Sequence, residues 1–282
     1  MSALFYLLRV PNLLLIVLGQ VLVQTCLLFP GAPWSGVRAP GFWLLVSATV
    51  LVAAGGYVIN DYYDVKIDAV NRPRRRVVGR TLTRRAAMLT HLTLSALGIG
   101  LGLLVGWAVG AVTAGAALLL WGYSARLKRQ MLIGNLTIAA LGAAMVLVVE
   151  VGARTHSRAV WVYAALGAAL TLIREIIKDA EDMRGDARFG CRTLPIVAGL
   201  PRTRMVLYGL LAGLATALLL IMMRRPEAWR FNGFLLLTVG APLGLLATWL
   251  ARADRRLHFA RLSQLGKLLM LAGMLSMLLY YQ

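Results

Sequence analysis

Eight of the eleven Asp and Glu residues of this 282-residue chain fall in two short stretches, Asn60-Asp61-Tyr62-Tyr63-Asp64-Val65-Lys66-Ile67-Asp68 and Glu175-Ile176-Ile177-Lys178-Asp179-Ala180-Glu181-Asp182-Met183-Arg184-Gly185-Asp186. Only Glu150, Glu227 and Asp254 lie elsewhere. Both stretches carry the spacing DxxDxxxD. At about 100° per helical residue, Asp61, Asp64 and Asp68 fall within roughly a 60° arc, which Asn60 widens to about 100°. Asp179, Asp182 and Asp186 repeat the arrangement, with Glu175 one turn earlier on the same stripe. Like charges on one stripe repel and call for cations. Carboxylates and one amide, with no His or Cys beside them, suit Mg²⁺, Ca²⁺ or Mn²⁺ rather than zinc or copper. Mg²⁺ typically takes one or two carboxylates together with phosphate oxygens and water. Two facing carboxylate stripes with a gap between them would therefore hold a diphosphate through bridging Mg²⁺.

Basic residues interleave these acids. Arg72, Arg74, Arg75, Arg76 and Arg80 follow the first motif, Arg126, Lys128 and Arg129 follow Tyr123, and Arg174, Lys178 and Arg184 sit within the second. Arg offers a bidentate contact to phosphate and Lys a point charge.

The elements that must position these groups are membrane-spanning helices. Hydrophobic residues make up 60% of the chain and the mean hydropathy is +0.75, too apolar for an ordinary soluble domain. Apolar stretches at 4–29, 42–60, 86–105, 107–122, 131–151, 159–177, 204–223, 232–250 and 263–281 each approach the roughly 20 residues that cross a hydrocarbon core. The expected fold is an all-α membrane protein, a bundle of nine transmembrane helices forming one domain over 1–282. The third and fourth spans are divided only at Gly106-Trp107, where a shorter hairpin or a merged pair would also fit. The first acidic motif extends the second span and the second motif the sixth.

Placing the N-terminus in the cytoplasm assigns 24 of the 30 Lys and Arg residues to cytoplasmic loops, as the positive-inside rule expects. Both acidic motifs then face the cytoplasm, in the inner membrane of the cell. The net charge of +19 is accounted for by this topology and by anionic lipid headgroups. No basic domain outside the membrane remains for nucleic acid. Cys26 and Cys191 fall on opposite sides of the bilayer, which excludes a disulfide between them, and no CxxC pattern suggests a metal site. The N-terminal apolar run reads as a retained first helix rather than a cleaved leader.

Carboxylates, Mg²⁺ and basic donors at the mouth of an apolar bundle suit a substrate with a diphosphate head and a hydrocarbon tail, the shape of a prenyl diphosphate. Metal and cationic groups would stabilise the departing diphosphate, an allylic carbocation would develop, and a nucleophilic acceptor would attack it. Apolar walls would keep water from the cation.

The chain resembles the UbiA superfamily of intramembrane prenyltransferases, whose nine-helix members carry NDxxDxxxD after the second helix and a DxxDxxxD motif after the sixth. The likeness continues through Asn71-Arg72-Pro73-Arg74-Arg75-Arg76-Val77-Val78-Gly79-Arg80, through Tyr123-Ser124-Ala125-Arg126-Leu127-Lys128-Arg129 with Gly134-Asn135, and through Gly190-Cys191-Arg192-Thr193-Leu194-Pro195. It covers roughly residues 9–200. The resemblance implies that Asn60, Asp61, Asp64, Asp68, Asp179, Asp182 and Asp186 hold Mg²⁺, that Asp64, Asp68, Asp182, Asp186, Lys128 and Tyr123 are catalytic, and that Asn60, Arg72, Arg74, Lys128, Arg174 and Lys178 bind diphosphate. Many members show a YxxxK spacing, whereas four residues separate Tyr123 from Lys128 here, so Lys128, Arg126 or Arg129 could take that role. The motif style is similar to the branch that includes digeranylgeranylglyceryl phosphate synthases and chlorophyll synthases. It implies a geranylgeranyl donor and geranylgeranylglyceryl phosphate as acceptor, with an aromatic or other lipid acceptor, or cyclisation of the prenyl chain, as alternatives. A cation or lipid transporter is disfavoured because the apolar spans carry no central acid.

The remaining polar residues have structural readings. His91, His156 and His258 fit packing or surface roles, Glu150 is positioned to pair with Arg154 at i+4, and the Gly98, Gly100, Gly102, Gly106 and Gly110 series reads as close helix packing.

Overall fold

The structure, a computed structural model, describes residues 3–71 and 77–281. Among these residues nine helices are long and apolar enough to cross a membrane. They are α1 (Val10–Leu28), α2 (Pro40–Val70), α3 (Arg84–Val105), α4 (Trp107–Ala125), α5 (Ile133–Ala153), α6 (Arg158–Arg188), α7 (Leu194–Arg224), α8 (Trp229–Ala251) and α9 (Arg256–Leu279). The chain is an integral membrane protein of all-α class. Each apolar stretch read from the sequence supplies one spanning helix, and the first, 4–29, also overlaps the short helix Ala3–Leu7, set off from α1 at the left-handed Arg9. Gly106, in extended backbone (φ 163°, ψ 156°), separates α3 from α4, which removes the alternative of a merged pair. Short helices Ala3–Leu7 and Pro33–Arg38 flank α1.

Helices α2 and α6 run well past their apolar windows, to Val70 and Arg188, so both DxxDxxxD motifs are helical throughout. Helix α7 starts at Leu194, about a turn and a half of helix before its kink. Pro195 occupies the first turn, where a missing N–H costs nothing. Gly199 then adopts φ 77° and Pro201 follows.

The chain forms two compact units. The first comprises Met1–Lys128 and Ala144–Val160. Its helices approach closely through glycines. A Cβ at Gly98 would lie 2.7 Å from Val52 Cγ2 and 2.9 Å from the Ala48 carbonyl, so α3 rides against the backbone of α2. A Cβ at Gly102 would meet Thr113 Oγ1 at 2.6 Å and one at Gly110 would overlap Leu103, which sets α3 on α4. Small residues allow backbone approach where no hydrophobic effect drives helix association. Polar side chains supplement this packing: the fully buried Gln20 donates from Nε2 to Thr49 Oγ1 (3.0 Å) and to the Met145 carbonyl (3.1 Å). His91 is buried and lies 3.0 Å from the Gly55 carbonyl, a packing role as its surroundings in the sequence suggest. Leu7, Val58, Val77, Val78 and Ala87 form a small apolar cluster at the end of α2.

Glu150 departs from expectation. Its side chain is buried and accepts a hydrogen bond from the Ser157 backbone N–H, while Arg154 is exposed and left-handed (φ 54°). The α5–α6 turn offers the carboxylate a backbone donor, and the left-handed residue turns the chain out of α5.

The second unit comprises Arg129–Ala143 and Trp161–Gln282. Ile173, Ile176 and Ile177 of α6 pack with Leu207 of α7, Leu246 and Leu250 of α8, and Leu262 and Leu269 of α9. On α6 this apolar stripe is centred about 140° from the acidic one, given about 100° per residue. Burial of one stripe thus fixes where the carboxylates point relative to the core. Arg204 Nη2 donates to the Ala253 carbonyl at 2.6 Å, and Arg225 donates to the Tyr280 carbonyl at 2.7 Å while lying over its ring.

Candidate functional site

The two acidic motifs belong to different compact units. In the first, Asn60, Asp61, Asp64 and Asp68 are all half-buried at the C-terminal end of α2. Lys128 follows α4 in a single 3₁₀ turn, Leu127–Arg129. Its Nζ lies 2.5 Å from Asp64 Oδ1 and 3.4 Å from Asn60 Oδ1. The extra residue between Tyr123 and this lysine is accommodated by that tighter turn, and Arg126 and Arg129 are exposed. Lys128 is therefore the cation of this segment that reaches the motif. Tyr123 is half-buried near the end of α4.

Asp61 is engaged by a residue absent from the expected set. Arg9, left-handed at φ 50° as it leads into α1, donates from Nη2 to Asp61 Oδ1 at 3.0 Å. Its guanidinium also lies 5.0 Å from the Tyr57 ring centre. The aromatic residues of the motif are held from the side: Arg84 stands over Tyr62 at 4.5 Å, and Trp121 Nε1 donates to Tyr63 Oη at 3.2 Å. Arg72 and Arg74 lie outside the described residues.

In the second unit, Asp179, Asp182 and Asp186 are half-buried along α6 and Glu175 is buried one turn earlier. Asn135, in the first turn of α5, donates from Nδ2 to Asp179 Oδ2 at 2.8 Å. Arg174 Nη1 lies 2.6 Å from Glu175 Oε1, and Lys178 Nζ lies 3.6 Å from Oε2 of the same carboxylate. Both expected phosphate-binding cations of α6 are thus gathered on Glu175. The stem of Arg174 is accommodated by Gly266 of α9, where a Cβ would already meet Arg174 Cγ at 3.4 Å. Beyond the motif, the Cys191 N–H returns to the Asp186 carbonyl at 3.0 Å, Gly190 adopts φ 74°, and the Arg192 N–H donates to the Arg129 carbonyl at 2.8 Å.

Sequence reasoning therefore missed Arg9, Glu175 and Asn135 as site residues. Arg9 is one of many topogenic cations. Glu175 shows in the sequence only as an extra acid on the stripe, and Asn135 only as half of a Gly-Asn pair. Among the described residues no three carboxylate, His or Cys side chains converge as a preformed metal cage. A hard cation that keeps water and substrate oxygens in its shell needs only one or two carboxylates from the protein. The all-oxygen, half-buried donor set suits such an ion and gives no foothold to a soft one.

The model of the UbiA prenyltransferase family matches residues 13–280, across both units. The chain belongs to the UbiA prenyltransferase family. It is an enzyme that transfers prenyl groups. Within the family it is 32% identical over 235 residues to digeranylgeranylglyceryl phosphate synthase of Korarchaeum cryptofilum, covering 81% of this chain and 82% of that one. It is 31% identical over 247 residues to the synthase of the same name from Methanospirillum hungatei, covering 86% and 87%. Among solved structures, one of digeranylgeranylglyceryl phosphate synthase superposes with a TM-score of 0.69 at 22% identity, covering 98% of this chain and 97% of that one. A UbiA homolog from Archaeoglobus fulgidus, bound to GPP and Mg²⁺, superposes with a TM-score of 0.68 at 18% identity, covering 98% and 99%. Both share the UbiA fold with this chain.

Proposed function

We propose that this UbiA family member transfers a geranylgeranyl group from geranylgeranyl diphosphate to geranylgeranylglyceryl phosphate, with Mg²⁺, at the cytoplasmic face of the inner membrane. The observation that carries the acceptor is its similarity, over more than four fifths of its length, to relatives named for that product. The duplicated acidic motif supports the donor. In this reading Asn60, Asp61, Asp64, Asp68, Asp179, Asp182 and Asp186 hold Mg²⁺, whose charge, when bound, neutralises the leaving diphosphate.

Lys128 has three N–H donors. With Asp64 and Asn60 taking two, the third is directed to a phosphate oxygen. Arg72, Arg74, Arg174 and Lys178 supply further donors, and Glu175 keeps the last two oriented until phosphate arrives. As the allylic carbon–oxygen bond breaks, its electron pair leaves with the diphosphate. The acceptor hydroxyl oxygen then forms the new carbon–oxygen bond and its proton is released. The Tyr123 ring is placed in this scheme beside the developing cation, where an aromatic face is stabilising.

The test is incubation of purified protein with geranylgeranyl diphosphate, Mg²⁺ or excess EDTA, and a panel of lipid and aromatic acceptors, read by mass spectrometry. The expected product is the digeranylgeranyl lipid, formed only with Mg²⁺. Asp64→Ala and Asp182→Ala each abolish diphosphate release in protein that remains folded in detergent. Exclusive prenylation of an aromatic acceptor would replace the acceptor, and a cyclised hydrocarbon made without any acceptor would replace the reaction. Ion flux in proteoliposomes without diphosphate release would point to transport.

A further inference from the structure

Asp61 and Asp64 of the first motif and Asp179 of the second are met by partners of different charge. Asp61 and Asp64 face cations, Arg9 at 3.0 Å and Lys128 at 2.5 Å. Asp179 faces a neutral amide, Asn135 Nδ2 at 2.8 Å from Oδ2. A carboxylate only accepts, so the amide nitrogen must be the atom turned towards it.

Asn135 is buried, at 6% exposure, and its backbone is fixed on both sides. Leu132 ahead of it is left-handed (φ 63°), the Ile133 N–H donates to the Met131 carbonyl at 2.8 Å, and the Leu136 N–H donates to the Leu132 carbonyl at 2.8 Å. The same turn is tied to the α6–α7 loop by the bond from Arg192 N–H to the Arg129 carbonyl. The amide is therefore presented from a braced helix start onto a helix whose opposite stripe is locked in the core.

We propose that Asn135 is a positioning residue for the metal centre: it holds the Asp179 carboxylate by one oxygen, leaves Oδ1 for a divalent cation, and does so without cancelling the charge that the cation needs. The inference rests on the Mg²⁺ reading of the motif given above. Mg²⁺ demands near-ideal octahedral geometry, so a carboxylate free to rotate binds it less well than one whose plane is set in advance. A lysine or arginine here would orient the carboxylate equally but compete with the metal for its charge. An amide orients it and does not compete. Outer hydrogen-bond partners of metal ligands typically contribute about 10–100-fold to metal affinity.

The full-length protein in detergent, with inorganic pyrophosphate present, is titrated with Mn²⁺ and followed by electron paramagnetic resonance, alongside the Mg²⁺ dependence of turnover. Asn135→Leu, which keeps the branched shape and removes the donor, is expected to weaken Mn²⁺ binding by about tenfold or more. It raises the Mg²⁺ concentration for half-maximal turnover in parallel, with a melting temperature close to that of the parent. Asn135→Gln, with the donor on a longer stem, recovers part of the loss. Should Asn135→Leu fail to fold, Asn135→Ala carries the same test. Unchanged Mn²⁺ affinity in the donorless variant, beside a loss in Asp179→Asn, overturns the role of Asn135 and leaves the proposed function standing. Unchanged affinity in Asp179→Asn itself overturns the metal reading of this aspartate, and the role of Asn135 with it.

Discussion

Lys128 shows how much one side chain depends on its local backbone. By sequence it was one of three cations that could serve the first motif. The 3₁₀ turn at Leu127–Arg129 sends its ammonium to Asp64 and Asn60 and leaves Arg126 and Arg129 exposed. A charge-assisted hydrogen bond contributes about 1.5–3 kcal/mol. Lys128→Met is therefore expected to raise KM for the prenyl diphosphate by about tenfold to a hundredfold, by RT at 25 °C, with the fold kept in detergent. Steady-state kinetics with the donor varied checks this, and an unchanged KM would remove Lys128 from the diphosphate site. The carboxylate stripes were readable from the sequence because the DxxDxxxD spacing sets its acids on one helical face. Their partners were not. Arg9 lies 52 positions from Asp61 and Asn135 lies 44 from Asp179, separations set by tertiary packing that no local pattern encodes.

At the scale of elements, apolar run length located the nine spans because the bilayer imposes that length on every helix. It located helix ends less well. Helix α7 begins at Leu194 rather than near residue 204 because Pro195 suits a first turn and the Gly199 kink allows a polar, basic segment to be helical before the apolar run. The glycine series is a firmer element-scale signal. A Cβ at Gly98 would sit 2.9 Å from a backbone carbonyl of α2, an atom that cannot move aside as a side-chain end can. Gly98→Ala is expected to destabilise the first unit by about 1–3 kcal/mol, the usual cost of overpacking, whereas Gly100→Ala, with open space around its Cβ, is expected to be close to neutral. Thermal unfolding of both variants in one detergent compares them directly. Glu150→Ala is likewise expected to destabilise the α5–α6 turn by about 1–3 kcal/mol, because the Ser157 amide loses its acceptor. Replacing Arg154 by Ala has little effect on the same melt, the reverse of what an i+4 ion pair would give.

For the molecule as a whole, orientation in the membrane decides whether the proposed chemistry has a substrate. A prenyl diphosphate carries a multiply charged headgroup that the hydrocarbon core excludes, so the side on which it is made is the side on which the acidic motifs must open. With the nine spans found among the described residues, the charge distribution favours the N-terminus inside: 24 of 30 basic residues then lie in cytoplasmic segments, the direction of bias that the positive-inside rule expects. Exposed positions exist for the test in both classes of connection. Arg188 ends α6 just beyond the second motif, and Trp34 lies in the short helix between α1 and α2. In a background with Cys26→Ser and Cys191→Ser, Arg188→Cys is expected to react with a membrane-impermeant thiol reagent only after the inner face is opened to it. Trp34→Cys is expected to react in intact cells. The opposite labelling pattern would place both motifs outside and overturn the cytoplasmic assignment. It would leave the family and fold unaffected, since neither depends on which face of the bilayer the motifs occupy.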